Sequence, residues 1–585
     1  MAHAPASPSI TPPDLLALLL GKEEVALLDV REARAYVAGH LGLSRMAPLS
    51  TLELEVRALV PRLGTPVVLV DGGDAPGPAL RAAALLGRLG YLDVRMLAGG
   101  TAGWRAAGLP LIDGYGTLVK AFGDRVRRHY ATPTLPGAAV RAAQACGRPA
   151  TLVDVRPAGE YAYLSVQGAG NHAGTELALR EWPAGATEAP WVLNCFSRTR
   201  GIIGTTTLGL LGHPDAHFLE DGVMQWALDG APVVQNARPA VELPQASEEE
   251  LRRRADSLVD RFALPRLDAD ALLQLRAESG RSLYQFDLRP GAGDAFEPAH
   301  GARAVAGGQL LMHFENLVGT RHARIVLFDE PHGLRAAVTA FWLRQLDQFE
   351  VFIFEGRWPE AGQDEDETAP QPSDEAVPAG LSAAQLKALL ASASASIVIV
   401  DVGPSFDFER AHLPGAHFLL PWTLEPLHPF REAGKRIVFS SPDGRAARLA
   451  ARDTRERWPG SDAGWLRGGT VGWQAAGLPV EQAWEPRRLL TPFDDDWGSV
   501  MRVPAARRDR AWADYLAWER GVSERLAADP TVRFRLFPRP AKFEAASLAA
   551  GRICAVRMSS GDFLPSAKGA RFLRCTASPP LSRKP

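Results

Sequence analysis

Trp191-Val192-Leu193-Asn194-Cys195-Phe196-Ser197-Arg198-Thr199-Arg200-Gly201 is an apolar run that stops at a cysteine, with two arginines and a glycine behind it. From Ile202-Ile203-Gly204 the apolar spacing becomes helical and continues to Leu211. A short apolar strand running directly into a helix puts Cys195 on the turn between them. Successive backbone N–H groups and the helix dipole favour negative charge at such a turn. Arg198 and Arg200 add fixed positive charge. A thiol placed there ionises easily and becomes a nucleophile, because the thiolate is the reactive form.

The rest of the chain repeats the unit that builds this turn. Four apolar strands end in an acid: Ala26-Leu27-Leu28-Asp29-Val30-Arg31, Thr151-Leu152-Val153-Asp154-Val155-Arg156, Tyr284-Gln285-Phe286-Asp287-Leu288-Arg289 and Val398-Ile399-Val400-Asp401-Val402-Gly403. From Asp29 to Asp154, Asp287 and Asp401 the steps are 125, 133 and 114 residues, each the size of a compact domain. A second apolar strand in each repeat ends at Asp71, Cys195, Asp329 and Ser440 respectively. Three repeats close on a glycine turn and a tryptophan: Gly99-Gly100 with Trp104, Asp221-Gly222 with Trp226, and Gly468-Gly469 with Trp473. The third repeat lacks that ending. Helical patterns fall between the strands, at Thr51–Val60, Leu80–Leu89, Ile202–Leu211 and Arg335–Leu346. Short apolar strands alternating with helices give parallel sheets covered on both faces, which bind ligands beyond the carboxyl ends of the strands.

Composition bounds the function. A chain of 585 residues exceeds one core, and 46% hydrophobic with 23% charged residues is ordinary for a globular protein. A net charge of −2 supplies no field for nucleic acid. Four cysteines make no disulfide framework, which points to a reducing compartment, and no Cys-x-x-Cys or Cys/His grouping suggests a metal. Neither metal nor cofactor is expected. Met1–Pro13 has no leader pattern and Leu15–Leu20 is too short to span a membrane, so the expectation is a cytoplasmic protein bound to no membrane. Gln235–Glu250 and the acidic, proline-rich Pro359–Pro378 read as linkers. A tryptophan-rich helix is expected at Ala511–Leu526, with Trp512, Tyr515, Leu516 and Trp518 packing on the fourth repeat, and poor order from about Ala545.

The Asp-Val-Arg strand ends, Gly39-His40-Leu41, His412-Leu413-Pro414-Gly415-Ala416, the cysteine turn and the Gly-x-x-x-Trp closures together resemble rhodanese domains, the sulfurtransferase fold, over about Thr11 to Gln482. The loop Asn194-Cys195-x-x-Arg198-Thr199-Arg200, followed by Ile-Ile-Gly, is similar to that of rhodanese-related proteins with four tandem domains and one active cysteine. The implied fold class is α/β: four rhodanese-like domains at 10–113, 118–236, 250–358 and 378–483, a helical extension at 484–543 and a tail at 544–585. The loop departs from the commonest family pattern in carrying Arg198 where a glycine usually stands three residues after the cysteine.

The resemblance implies a ping-pong reaction in which Cys195 takes a sulfane sulfur from an anionic donor, holds it as a persulfide, and passes it to cyanide, a thiol, or a protein persulfide acceptor. Phe196, Ser197, Arg198, Thr199, Arg200 and Gly201 are then the donor-binding loop. Two guanidiniums suit thiosulfate, whose sulfonate accepts several charge-assisted bonds. Asp154, Arg156 and Glu160 are supporting residues by the same resemblance, the aspartate tying loops and Arg156 pairing with Glu160. Asn171–Leu177, with His172, is placed at the pocket wall, Trp226 in the core, and His40, His300 and His412 in structural roles. Cys146 reads as a structural thiol. Asp71, Asp329 and Ser440 make the other three repeats scaffold, with Arg445 five residues past Ser440. Two alternatives remain open: a non-enzymatic persulfide carrier or redox scaffold, and a cysteine phosphatase or arsenate reductase. The second needs an arginine six residues after the cysteine, where Gly201 stands.

Overall fold

The four acid-ending runs are strands, and each sits in its own parallel sheet. The structure, a computed structural model, describes residues 8–74, 77–147, 150–182, 190–213, 215–289, 299, 301–356 and 378–540. In module one the strands lie in the order Ser9–Ile10, Val94–Leu97, Val67–Val70, Val25–Asp29, Arg45–Met46. Module two repeats it with Thr134–Leu135, Ala216–Leu219, Trp191–Asn194, Thr151–Asp154 and Gly170–Asn171. Module three follows with Arg266–Leu267, Glu350–Phe354, Arg324–Phe328, Leu283–Asp287 and Arg303–Ala304. Module four has Ala463–Trp465, Arg436–Ser440, Ile397–Asp401 and His417–Phe418, and Leu381 bridges to Leu466 at the missing edge. In module one the central strands Val25–Asp29 and Val67–Val70 are buried on both faces, which is why their sequences are continuous apolar runs rather than alternating ones.

Register corrects one position. Asp29 lies opposite Val70, Asp154 opposite Asn194, Asp287 opposite Phe328 and Asp401 opposite Ser440. Each loop therefore begins one residue later, at Asp71, Cys195, Asp329 and Ser441. Ser440 was expected at the loop; it is instead the strand residue that matches Asn194, and Arg445 lies four residues past Ser441, exposed. Two consecutive serines end that apolar run, so no change of polarity marks the boundary.

Helices also start earlier than their apolar spacing suggests. The helix after Cys195 is Thr199–Leu210, so the turn is only four residues long. That after Asp329 is Leu334–Arg344. Thr199, Arg200 and Gly201 open the first of these helices, and apolar periodicity does not register them. The C-terminal helix is Ala505–Leu526. It packs on module one through Trp518, which abuts Gly114, and Leu526, which approaches Gly42. The segment before it covers module four, where Phe493 stacks edge-on against Phe408 and Phe418. The first and third modules are joined by an antiparallel pairing of Thr320 and Arg321 with Ala26 and Val25, which no repeat pattern foretells.

The chain divides into two compact bodies, one within Met1–Phe122 and Glu248–Arg535, the other within Gly123–Ser247 with the chain from Leu536. Module two lies in the second. Among the described residues no helix is long and apolar enough to cross a membrane. The acidic linker (up to residue 377), His300, and the tail with Cys554 and Cys575 lie outside the described residues.

Candidate active site

The site in module two is built on a buried ionic ladder beneath the loop. Asp154 and Asn194 end adjacent strands in register, and the Asn194 amide donates to Asp154 Oδ2 at 2.9 Å. Arg156 forks onto Asp154, Nε to Oδ1 at 2.9 Å and Nη2 to Oδ2 at 2.7 Å, with both side chains fully buried. Arg156 also donates to the Leu164 carbonyl at 2.5 Å and lies 5.4 Å from the centre of the Phe196 ring. The family resemblance implied that Arg156 pairs with Glu160. The structure corrects this: two residues from Asp154, Arg156 curls back onto its own strand end, and Glu160 takes Arg200 instead. Asp154 does tie loops, since its carbonyl accepts from the His172 amide and the Asn171 side chain.

Above the ladder, the loop is held by the helix Gly222–Leu228. The amides of Val223 and Met224 donate to the carbonyls of Cys195 and Phe196 at 2.9 and 3.0 Å. Gly222 has φ +60, and a Cβ there would collide with the Cys195 carbonyl and stand 2.6 Å from that of Ser197. Gly100 and Gly469 meet the carbonyls of Asp71 and Ser441 in the same way, and Thr101 and Thr470 donate to those same carbonyls. The repeated glycine thus exists for close backbone approach. Its companion tryptophan closes the turn: Trp104, Trp226 and Trp473 each donate to a carbonyl six residues on, at Pro110, Pro232 and Pro479.

Every cation of the loop has a carboxylate. Arg198, buried, donates to Asp221 Oδ1 at 2.8 Å and to Asp124 Oδ1 at 3.1 Å. Two internal carboxylates hold its guanidinium, so Arg198 fastens the loop to its supporting helices. Arg200 forks onto Glu160, Nη1 to Oε1 at 2.6 Å and Nη2 to Oε2 at 2.7 Å. Burial pulls the Arg200 pKa down, but the bonds and charge of Glu160, then the charges of Cys195 and Asp154, outweigh it, so it is raised above its ordinary value. The guanidinium and the Cys195 sulfur therefore interact electrostatically.

The remaining loop residues divide by role. Phe196 is buried between Arg156 and the edge of Tyr163. Thr199 begins the helix and packs on Gly123, where a Cβ would stand 2.9 Å from its methyl group. Gly201 lets that helix lie on the sheet, since a Cβ would stand 2.7 Å from the Phe218 ring. Ser197 is half-buried. The Cys195 residue is only 2% exposed, and its neighbours include Val153, Val155, Leu177, Trp182 and Leu193. Cys146, expected as a structural thiol, is exposed at the C-cap of the helix Gly137–Ala145. His172 lies beside the site but is neutral at pH 7, its pKa lowered to about 4 by burial and by Arg180, and its Nε2 accepts from the Leu243 amide at 3.3 Å.

Sequence reasoning missed Asn194, Asp124 and Asp221. Asn194 is readable as the last residue before the cysteine. Asp221, in the left-handed region at φ 56, belongs to the noted turn. Asp124 carries no local signal.

The rhodanese-like domain model matches residues 11–107 and 382–476, in modules one and four. A solved structure, thiosulfate sulfurtransferase from Pseudomonas aeruginosa, is 32% identical, covers 91% of this chain and 100% of its own, and superposes with a TM-score of 0.80. This chain belongs to the rhodanese family. Smaller matches exist to a protein of unknown function from Rhodopseudomonas palustris described as a possible tyrosine phosphatase (28% identity, 18% of this chain, 89% of that one, TM-score 0.17) and to a rhodanese-related protein from Thermoplasma volcanium (17%, 18%, 98%, 0.16). Those two superpose too little of this rhodanese to bear on its site. No curated protein matches the chain.

Proposed function

We propose that this rhodanese is a sulfurtransferase that moves a sulfane sulfur from thiosulfate, or a similar anionic donor, to cyanide or a thiol through a Cys195 persulfide. The second and third modules are, on this reading, diverged rhodanese-like units, because their strand order repeats that of modules one and four. The observation that carries the proposal is the placement of the Cys195 sulfur: a strand end facing a helix start, with the Arg200 charge beside it.

The Cys195 thiolate attacks the outer sulfur of thiosulfate. The S–S bond of the donor breaks, its electron pair leaves on sulfite, and the protein keeps a persulfide anion. The acceptor then attacks the terminal sulfur, and the electron pair of the Cys195 S–S bond returns to the thiolate; with cyanide the product is thiocyanate. Both resting and loaded states are anions. Fixed positive charge and the first-turn amides stabilise them without reorganising. A buried site suits this cargo, because a single sulfur atom needs only a narrow passage and a dry surrounding strengthens the Arg200 interaction. The phosphatase alternative is disfavoured by the short turn: with Arg200 five residues after Cys195, the ring is smaller than a tetrahedral phosphate requires.

The test is the intact mass after thiosulfate treatment, followed by peptide mapping. One added sulfur on the Cys195 peptide, released by cyanide, is expected. Steady turnover of thiosulfate and cyanide then distinguishes an enzyme from a one-shot persulfide carrier. Hydrolysis of p-nitrophenyl phosphate with no sulfur gain would overturn the reading.

A further inference from the structure

Three arginines stand at the Cys195 loop, and their partners differ in kind. Arg156 and Asp154 are fully buried against each other. Arg198 is sealed between Asp124 and Asp221. The Arg200–Glu160 pair alone among these three keeps appreciable solvent contact, with side chains 17% and 25% exposed, and the Cys195 charge is among those that act on its guanidinium. Glu160 reaches it from the short helix Ala158–Tyr163, which follows Arg156 directly. Two parallel N–H···O bonds fix a guanidinium in plane and leave it little freedom to turn. They engage one N–H of each terminal nitrogen, so a donor's sulfonate is left only the remaining N–H groups of Arg200.

We propose that Glu160 is a positioning residue: acting through Arg200, it holds a guanidinium beside the Cys195 sulfur, so that this arginine serves the thiolate and the persulfide rather than the sulfonate of the donor. The idea rests on the sulfur-transfer reading and assigns its parts, with donor affinity left to the amides of the loop and the helix start. It also has a sign that charge alone would reverse. Glu160 is an anion near an anion, and removing its charge should by itself ease ionisation of Cys195. Removing a clamp that holds Arg200 in place should do the opposite. The other charged groups at the loop, Asp154, Arg156, Arg198 and the Asp124 and Asp221 carboxylates that hold Arg198, are unchanged by either substitution.

The experiment measures the rate of Cys195 alkylation by iodoacetamide against pH in the full-length chain, read from the mass of the Cys195 peptide, for wild type, Glu160→Gln and Glu160→Asp. Glu160→Gln should move the midpoint upward, and a midpoint one pH unit higher slows the reaction about tenfold at pH values below both midpoints. Glu160→Asp should recover part of that loss. In turnover, kcat should fall more than KM for thiosulfate rises. A midpoint that stays put or moves down, or a rise in KM with kcat unchanged, overturns the proposal. Should Glu160→Gln not fold, Arg200→Lys keeps the charge and loses the fork, with the same upward movement expected and an unmoved midpoint equally fatal. The alkylation profile needs no sulfur donor. Wild-type protein that takes no sulfur from thiosulfate would therefore sink the functional reading while still leaving Glu160 tested.

Discussion

The loops after the second long strand in modules two and three start from the same geometry and end in opposite chemistry. In module three the first residue is Asp329, and its carboxylate is already occupied. It accepts from the amides of Glu330 at 2.8 Å, Arg335 at 2.7 Å and Ala336 at 3.2 Å, and from the Arg335 guanidinium at 3.1 Å. Module one does likewise, Asp71 accepting from Gly73 and Ala79 at 2.9 and 3.2 Å. In module four the Ser441 hydroxyl accepts from Ala447 at 3.3 Å. Wherever the thiol is missing, a side-chain oxygen of the chain itself fills the start of the helix. The anion-favouring field of the fold is thus used up internally in three modules, and only in module two does a sulfur stand there. Accessibility runs the other way. A cavity of about 710 Å³ borders Asp329, His332, Arg289 and Phe354, whereas Cys195 is almost closed. The cavity is at a loop whose first carboxylate is already hydrogen-bonded by the chain itself.

The largest break of this comparison is Cys195→Ser, which gives module two the hydroxyl that module four already has. Sulfur transfer from thiosulfate should fall to background with the fold retained, as read by turnover and thermal melting. Residual turnover near the wild-type rate would place the active sulfur elsewhere.

The next effect separates scaffold from site. Gly222 and Gly469 hold the same place in modules two and four, each against a loop carbonyl and each with positive φ. Alanine at either should cost on the order of 2 kcal/mol, from the left-handed backbone and the collision together. Gly222→Ala should also lower kcat, because its amide neighbours Val223 and Met224 position the Cys195 loop. Gly469→Ala should leave turnover per folded molecule unchanged. Denaturant titration and active-site counting check both. Equal loss of kcat in the two variants would mean that the glycine acts through global stability alone.

The same contrast explains what the sequence discloses. Strands, their fourfold recurrence, the cysteine turn and the glycine–tryptophan closure are legible because each depends on residues close together in the chain. Trp226 is core, as its spacing implies. What escapes is pairing at a distance. Nothing local tells that Arg200 meets Glu160, 40 residues away, or that Arg198 meets Asp124, 74 residues away. Two arginines beside a cysteine read as an anion site until their carboxylates are found. The slip at Ser440 has a different origin: register is set by the neighbouring strand, and a Ser-Ser step carries no polarity signal to fix it.

The smallest effect turns on the strand-end aspartates. Asp154 has Arg156 two residues on, but the equivalent Asp401 has Gly403 and so no guanidinium. Asp401 is buried, and only the Gly403 amide and the Ser440 hydroxyl, each at 2.9 Å, oppose the cost of its charge. Burial raises its pKa to about 6, those two bonds moderating the rise. A carboxyl raised in the folded state binds its proton there before the unfolded chain does. Its contribution to stability therefore grows as pH falls from about 6 toward the ordinary value of 3.8, and is least above pH 6. Asp401→Asn removes the buried charge, so the variant should be more stable than wild type at pH 8 by about 1 kcal/mol and no more stable at pH 4. Glu32, raised to about 7 mainly by burial, adds a slope of the same sign in both proteins, so the difference between the two stability curves is the quantity to read. Asp154→Asn should move the other way and destabilise at pH 8, because it strips Arg156 of its buried partner. If both asparagines destabilise alike, the guanidinium two residues on, which Asp29 and Asp287 also have in Arg31 and Arg289, is not what sets the Asp154 strand end apart from that of Asp401.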